Sequence, residues 1–137
     1  MHYLAESIFV GLYSCIIFLL ISQIFTNYTW ILFCTGFLKH FSGYVFGIQT
    51  YYCNHGLACS NRREQKEKSK YEAKIPDDRL LIECILEGIG YIVLGSFFIL
   101  FIKNNLLADF CIGASMHILA EIFGIHRYFC ETHCIMV

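Results

Sequence analysis

FCTGFLKHFSGYVFGIQTYYC at residues 33–53 and FCIGASMHILAEIFGIHRYFC at residues 110–130 agree, without a gap, at nine positions, where composition alone would give roughly one or two. Laid on itself at the same offset of 77, the chain repeats beyond the quoted stretch. Glu6/Glu83, Ile8/Ile85, Gly11/Gly88 and Asn27/Asn104 are also identical pairs. Matches that include Gly, Cys and His at one fixed offset point to a duplicated two-helix unit.

The solvent of that unit follows from composition. Hydrophobic residues make up 57% of the chain and charged residues 15%, too few polar groups to cover the apolar surface, so lipid is the expected surrounding. No Asp, Glu, Lys or Arg lies between Glu6 and Lys39. From Leu80 to Ile102 the only charges are Glu83 and Glu87, and from Leu106 to Ile125 they are Asp109 and Glu121. These runs predict an all-α polytopic membrane protein with four transmembrane helices, 4–26, 29–52, 79–102 and 106–128, each near the roughly 20 residues a bilayer core requires. A soluble bundle would need polar helix faces that these segments lack. With an even number of spans per unit, both copies insert alike, related by a pseudo-twofold axis along the membrane normal. The chain divides into a first helical hairpin at 1–53, a charged linker at 54–78 and a second hairpin at 79–137. MHYLAES has no basic n-region, and no small-residue cleavage site follows the apolar stretch, so it reads as the start of an uncleaved first span.

The linker, with Arg79 at its edge, holds seven of the ten basic residues. By the positive-inside tendency it faces the cytoplasm or an equivalent interior, and both termini share that side. The opposite side receives two tight connections, near Thr26–Thr29 and Lys103–Asn105. The Asn27–Thr29 sequon falls in the first, too close to the membrane to be a good glycosylation substrate. Pro76, followed by Asp77 and Asp78, suits the first turn of the third span.

In the second span Gly36, His40, Gly43 and Gly47 fall on one stripe, repeated in the fourth as Gly113, His117, Ala120 and Gly124. Small residues at this spacing let helices approach closely in lipid, so the stripes are expected to pack against each other or against the odd spans. His40 and His117 sit near mid-span on these stripes. They are candidate axial ligands of a haem, or direct metal ligands. The favoured reading is neutral imidazoles acting as interhelical glue, because no cofactor motif accompanies them. Lys39 and Glu121, which have no charged counterparts, are candidates to pair with one another. Tyr51 and Tyr128 are expected to hydrogen-bond Glu83 and Glu6 at the linker face.

Just beyond lie Cys53, His55 and Cys59 in the first copy and Cys130, His133 and Cys134 in the second. These residues form a candidate zinc site across the repeat. The competing arrangement is disulfides, within each copy or between Cys53 and Cys130, although cytoplasmic thiols normally stay reduced. Cys15, Cys34, Cys84 and Cys111 lie inside spans and read as packing residues. There is no nucleophile–base–orienter set, phosphate-cradling loop or helical zinc-protease motif, and the linker's basic residues alternate with acidic ones, so neither an enzyme nor a nucleic-acid binder is expected.

GIQTYYCNHG at 47–56 and GIHRYFCETHC at 124–134, in a short Phe/Ile/Tyr-rich polytopic chain, resemble small multi-pass membrane proteins encoded by large nucleocytoplasmic DNA viruses. The resemblance implies a component of a virion's internal membrane, organising lipid beneath a capsid. It also implies cytosolic assembly in which virus-encoded thiol oxidation forms disulfides. The leading expectation is therefore a non-enzymatic structural membrane protein, with the bilayer, capsid or other membrane proteins and a second copy of the chain as candidate partners. A redox protein with bis-histidine haem or thiol–disulfide chemistry is the alternative, followed by a small transporter or channel.

Overall fold

The computed structural model describes residues 3–60 and 70–137. The charged centre of the linker, 61–69, lies outside the described residues. Among the described residues six α-helices form, α1 (Tyr3–Ser22), α2 (Tyr28–Val45), α3 (Ile48–His55), α4 (Asp77–Phe98), α5 (Asn105–Ile122) and α6 (Ile125–Thr132), with a 3-10 turn at Leu57–Cys59. Strands β1 (Tyr71–Ala73) and β2 (Cys134–Met136) add one small antiparallel ladder, with Ala73 opposite Cys134.

Helices α1, α4 and α5 are each long and apolar enough to cross a membrane, and α2 qualifies when taken together with α3, which gives three to four candidate spans. The even spans are not the continuous helices expected at 29–52 and 106–128. Each ends two residues before a glycine in the left-handed region, Gly47 at φ 76° and Gly124 at φ 73°, which starts the next short helix. The α2–α3 bend is 70°. Only glycine adopts this conformation at low cost, and a Cβ at either position would meet nothing within 4 Å. Gly47 and Gly124 are therefore bend residues and do not continue the packing stripe.

Element bounds keep the offset of the sequence match. α2 and α5 start and stop 77 residues apart, as do α3 and α6. Each of the longer pair opens on an asparagine whose side chain accepts a backbone N–H, Asn27 from Trp30 at 3.2 Å and Asn104 from Leu107 at 3.0 Å. These contacts satisfy an end-of-helix donor and occupy the sequon side chain. Pro76 precedes the first turn of α4, and its carbonyl accepts from Leu80 N at 2.8 Å.

The helices do not pack mainly within their hairpins. α1 lies chiefly on α5, and α2 on α4, so each long N-terminal helix docks on a long helix from the C-terminal part of the chain. Glycines make the approach. A Cβ on Gly11 would stand 2.8 Å from the Phe110 ring, and one on Gly88 would stand 2.7 Å from the Phe33 ring. Gly36 packs against Tyr91 and the Glu87 backbone of α4, and Gly113 against Ser14 of α1. The small-residue stripes thus meet the odd spans and not each other. Gly43 is buried but leaves room for a Cβ, which would meet only Gln49 at 3.9 Å, and Ala120 is half-buried.

Polarity is inverted relative to a water-soluble bundle. Leu4, Leu12, Ile16 and Leu20 of α1 and Leu81, Leu86 and Val93 of α4 are exposed, while Glu6, Ser7, Ser14, Thr35, Asp109 and His117 are buried. An apolar exterior around a hydrogen-bonded interior suits a lipid environment. The flank of the linker is not merely solvated. Tyr71, Ala73 and Ile75 are buried, and Asn54 of α3 grips Tyr71 through both backbone groups, at 2.8 and 2.9 Å.

Candidate functional site

Two polar assemblies occupy the interior, one at the end of the bundle carrying α3, α6 and the strands, the other running from that end towards the loop end. At the strand end, two disulfides join the halves, Cys53–Cys134 and Cys59–Cys130. Neither an intra-copy bridge nor Cys53–Cys130 forms. The α3 cysteine reaches the segment after α6, and the α6 cysteine reaches the turn after α3. The reason is the pair of bends at Gly47 and Gly124, which lay the short helices across the bundle end so that each tail runs back over the other half. The sulfurs of Cys59, Cys130 and Cys134 lie within 4.8 Å of one another. A zinc site would require these as thiolates, and all three are disulfide-bonded. His55 stands apart from this cluster, exposed and stacked on Tyr51 at 4.4 Å between ring centres. His133 is buried but turns to a carboxylate, its Nε2 lying 2.7 Å from Glu83 Oε1.

His40 and His117 both find glutamates in the other half. His40 Nε2 lies 3.1 Å from Glu83 Oε2, and His117 Nε2 lies 3.1 Å from Glu6 Oε2. The four residues form two pairs separated by the same 77-residue offset. The free oxygen of Glu6 accepts from Leu57 N at 2.8 Å. Tyr51 and Tyr128 do not hold these carboxylates; both tyrosines are exposed, swung outward by the helix bends. Lys39 does not pair with Glu121. It meets Glu87 at 2.5 Å, because α2 packs on α4, and Glu121 meets His126 at 2.9 Å. Beside His117, the His126 ring lies at 4.3 Å between centres.

The second assembly has no motif in the sequence to announce it. Ser14 Oγ donates to Asp109 Oδ2 at 2.9 Å and bonds the Tyr91 hydroxyl at 2.7 Å, all three fully buried. Lys39 Nζ lies 5.5 Å from the centre of the Tyr91 ring. His40 Nδ1 is 3.8 Å from Glu87 Oε2. Asp109 and Glu87 were visible as isolated charges in apolar runs. Ser14 and Tyr91 carry no sequence signal of their own, since neither is charged or matched by an identical residue.

Helices of this length and apolarity around a buried polar interior define a helical membrane protein. Comparison with protein-family models, curated proteins and solved structures finds no match.

Proposed function

We propose that the chain is a structural integral membrane protein, a tandem duplication of a helical hairpin with four spans about a pseudo-twofold axis, clamped at one end and serving to organise a virion or organelle membrane. The observation that carries this reading is the crossed pair of disulfides, whose four sulfur-bearing residues are only 1–4% exposed. Bonds so shielded hold halves together and are out of reach of a dithiol substrate. The common offset of N-caps, helix bounds and bend glycines supports the duplication. The engagement of His40 and His117 by carboxylates favours interhelical glue over haem ligation.

The basic linker argues that the strand end faces an interior compartment, whereas its disulfides argue for oxidising conditions. Assembly beside a dedicated thiol-oxidising system, as in the viral proteins the chain resembles, reconciles the two. The thiol–disulfide alternative draws its support from the 4.8 Å cluster of Cys59, Cys130 and Cys134.

The test is reconstitution of the purified, disulfide-intact chain into liposomes, imaged by cryo-electron microscopy beside a dithiol-oxidation assay and an absorption spectrum. Ordered arrays or altered curvature, with no turnover above a Cys53→Ser/Cys134→Ser variant, are expected. Catalysed dithiol oxidation or a Soret band overturns the structural reading.

A further inference from the structure

A membrane scaffold needs no charge in its core, and the molecule contains its own demonstration of this. Glu83, Glu87 and Tyr91 lie at i, i+4 and i+8, one polar face of α4. The residues 77 positions earlier on α1 are Glu6, Val10 and Ser14. Lys39, which meets Glu87, has Met116 as its counterpart, and Asp109 has Leu32, itself buried at 2%. At each of these three unmatched charges, Glu87, Lys39 and Asp109, the residue 77 positions away is apolar: Val10, Met116 and Leu32. Replacing buried ion pairs by well-packed apolar groups is often neutral or stabilising, so architecture does not explain Lys39, Glu87 and Asp109. Ionisable groups kept inside a membrane bundle mark ion or proton pathways.

Their arrangement is that of a path. Asp109 stands in the second turn of α5 from the loop end. Its Oδ1 is buried without a hydrogen-bond partner among the described residues, as is the hydroxyl of Tyr28 in the first turn of α2 at the same end. From Asp109 the contacts run through Ser14 to Tyr91, then down the α4 face to Glu87, with Lys39 bridging the Tyr91 ring and the Glu87 carboxylate. Glu87 faces His40, which bonds Glu83, which bonds His133. His133 lines an open cavity at the strand end, beside Lys74 and Arg79. On the α1 side Glu6, His117, His126 and Glu121 cluster at the strand end, and the stripe stops at Val10.

We propose that the α4 stripe is a proton relay between the two ends of the bundle, with Asp109 the group that takes up the proton at the loop end and His133 the group that releases it to the strand-end cavity. Each uptake at Asp109 is balanced by one release at His133. The hydroxyls, carboxylates and imidazole between them each accept one proton and pass one on, with no redox change. Lys39, which lies against both the Tyr91 ring and the Glu87 carboxylate, carries the proton across the turn between them by giving one to Glu87 as it takes one from Tyr91, charged before and after each transfer.

The experiment uses the full disulfide-intact chain in liposomes containing a pH-sensitive dye, with a potassium diffusion potential set by valinomycin. Wild-type vesicles are expected to acidify faster than protein-free ones. Asp109→Leu and the double variant Lys39→Met/Glu87→Val, which copy the other half's residues, are expected to elute as folded protein and to fall to the protein-free rate. Should either fail to fold, Asp109→Asn and Glu87→Gln keep side-chain shape and carry the same expectation. A wild-type rate equal to that of protein-free vesicles overturns the relay, as does undiminished flux in the folded variants.

Discussion

His117 Nε2 lies 3.1 Å from Glu6 Oε2, and the two side chains keep only 8% and 3% of their surface exposed. The matching pair, His40 and Glu83, is as close but more open, at 21% and 23%, and Glu83 has His133 as a second partner. Removing one member of a buried pair strands the other charge, typically at a cost of about 3–5 kcal/mol, whereas partly exposed partners are screened by solvent. His117→Ala should therefore lower the unfolding temperature in detergent well below that of His40→Ala. Equal losses would show that burial does not rank the two pairs.

The two disulfides should be unequal to the sum of their separate effects. Each alone closes a long loop, with sequence separations of 81 and 71. With one in place, the other closes only a short ring, because Cys53 and Cys59 are near in sequence, as are Cys130 and Cys134. By loop-closure entropy, losing either bridge costs about 3 kcal/mol and losing the remaining one a further 4–5 kcal/mol. Unfolding of Cys53→Ser/Cys134→Ser, of Cys59→Ser/Cys130→Ser and of the quadruple variant measures this directly. Strictly additive losses would contradict it.

Gly36 and Gly43 separate packing from propensity. A Cβ on Gly36 would stand 2.7 Å from Tyr91 and 2.8 Å from the Glu87 carbonyl oxygen, a backbone atom that cannot step aside. Gly36→Ala should destabilise by about 1–3 kcal/mol. At Gly43 the nearest atom is 3.9 Å away, so Gly43→Ala should be neutral or gain up to about 1 kcal/mol from helix propensity. Thermal unfolding of the two variants side by side reads the contrast.

Much of the architecture is legible before any coordinates. The charge-poor runs place the apolar helices, and the offset of 77 anticipates that α2 matches α5 and α3 matches α6. The bends are not legible, because a glycine at i+11 of a small-residue stripe looks like more packing until its φ is known. The docking of α1 on α5 and α2 on α4 is equally hidden, since short loops suggest partners within a hairpin. Gly11 and Gly88, an identical pair outside the noted stripes, were the available clue. The misplaced partners share this cause: level along the bundle suggests Glu121 for Lys39 and the glutamates for Tyr51 and Tyr128, whereas which helices touch decides the pairing. The cysteines stand out in the sequence as a group, but spacing alone cannot distinguish among pairings that the chain's return path decides.

The crossed bridges also change what the connecting peptide is for. Residues up to Cys59 carry one partner of each bond, and residues from Cys130 onward carry the other. A cut anywhere in the stretch between Cys59 and Tyr71 would leave one molecule under oxidising conditions and two fragments only after reduction. Covalently, the N-terminal and C-terminal parts are joined twice over by sulfur, and the peptide between them is a third tie that the bridges make redundant once they have formed.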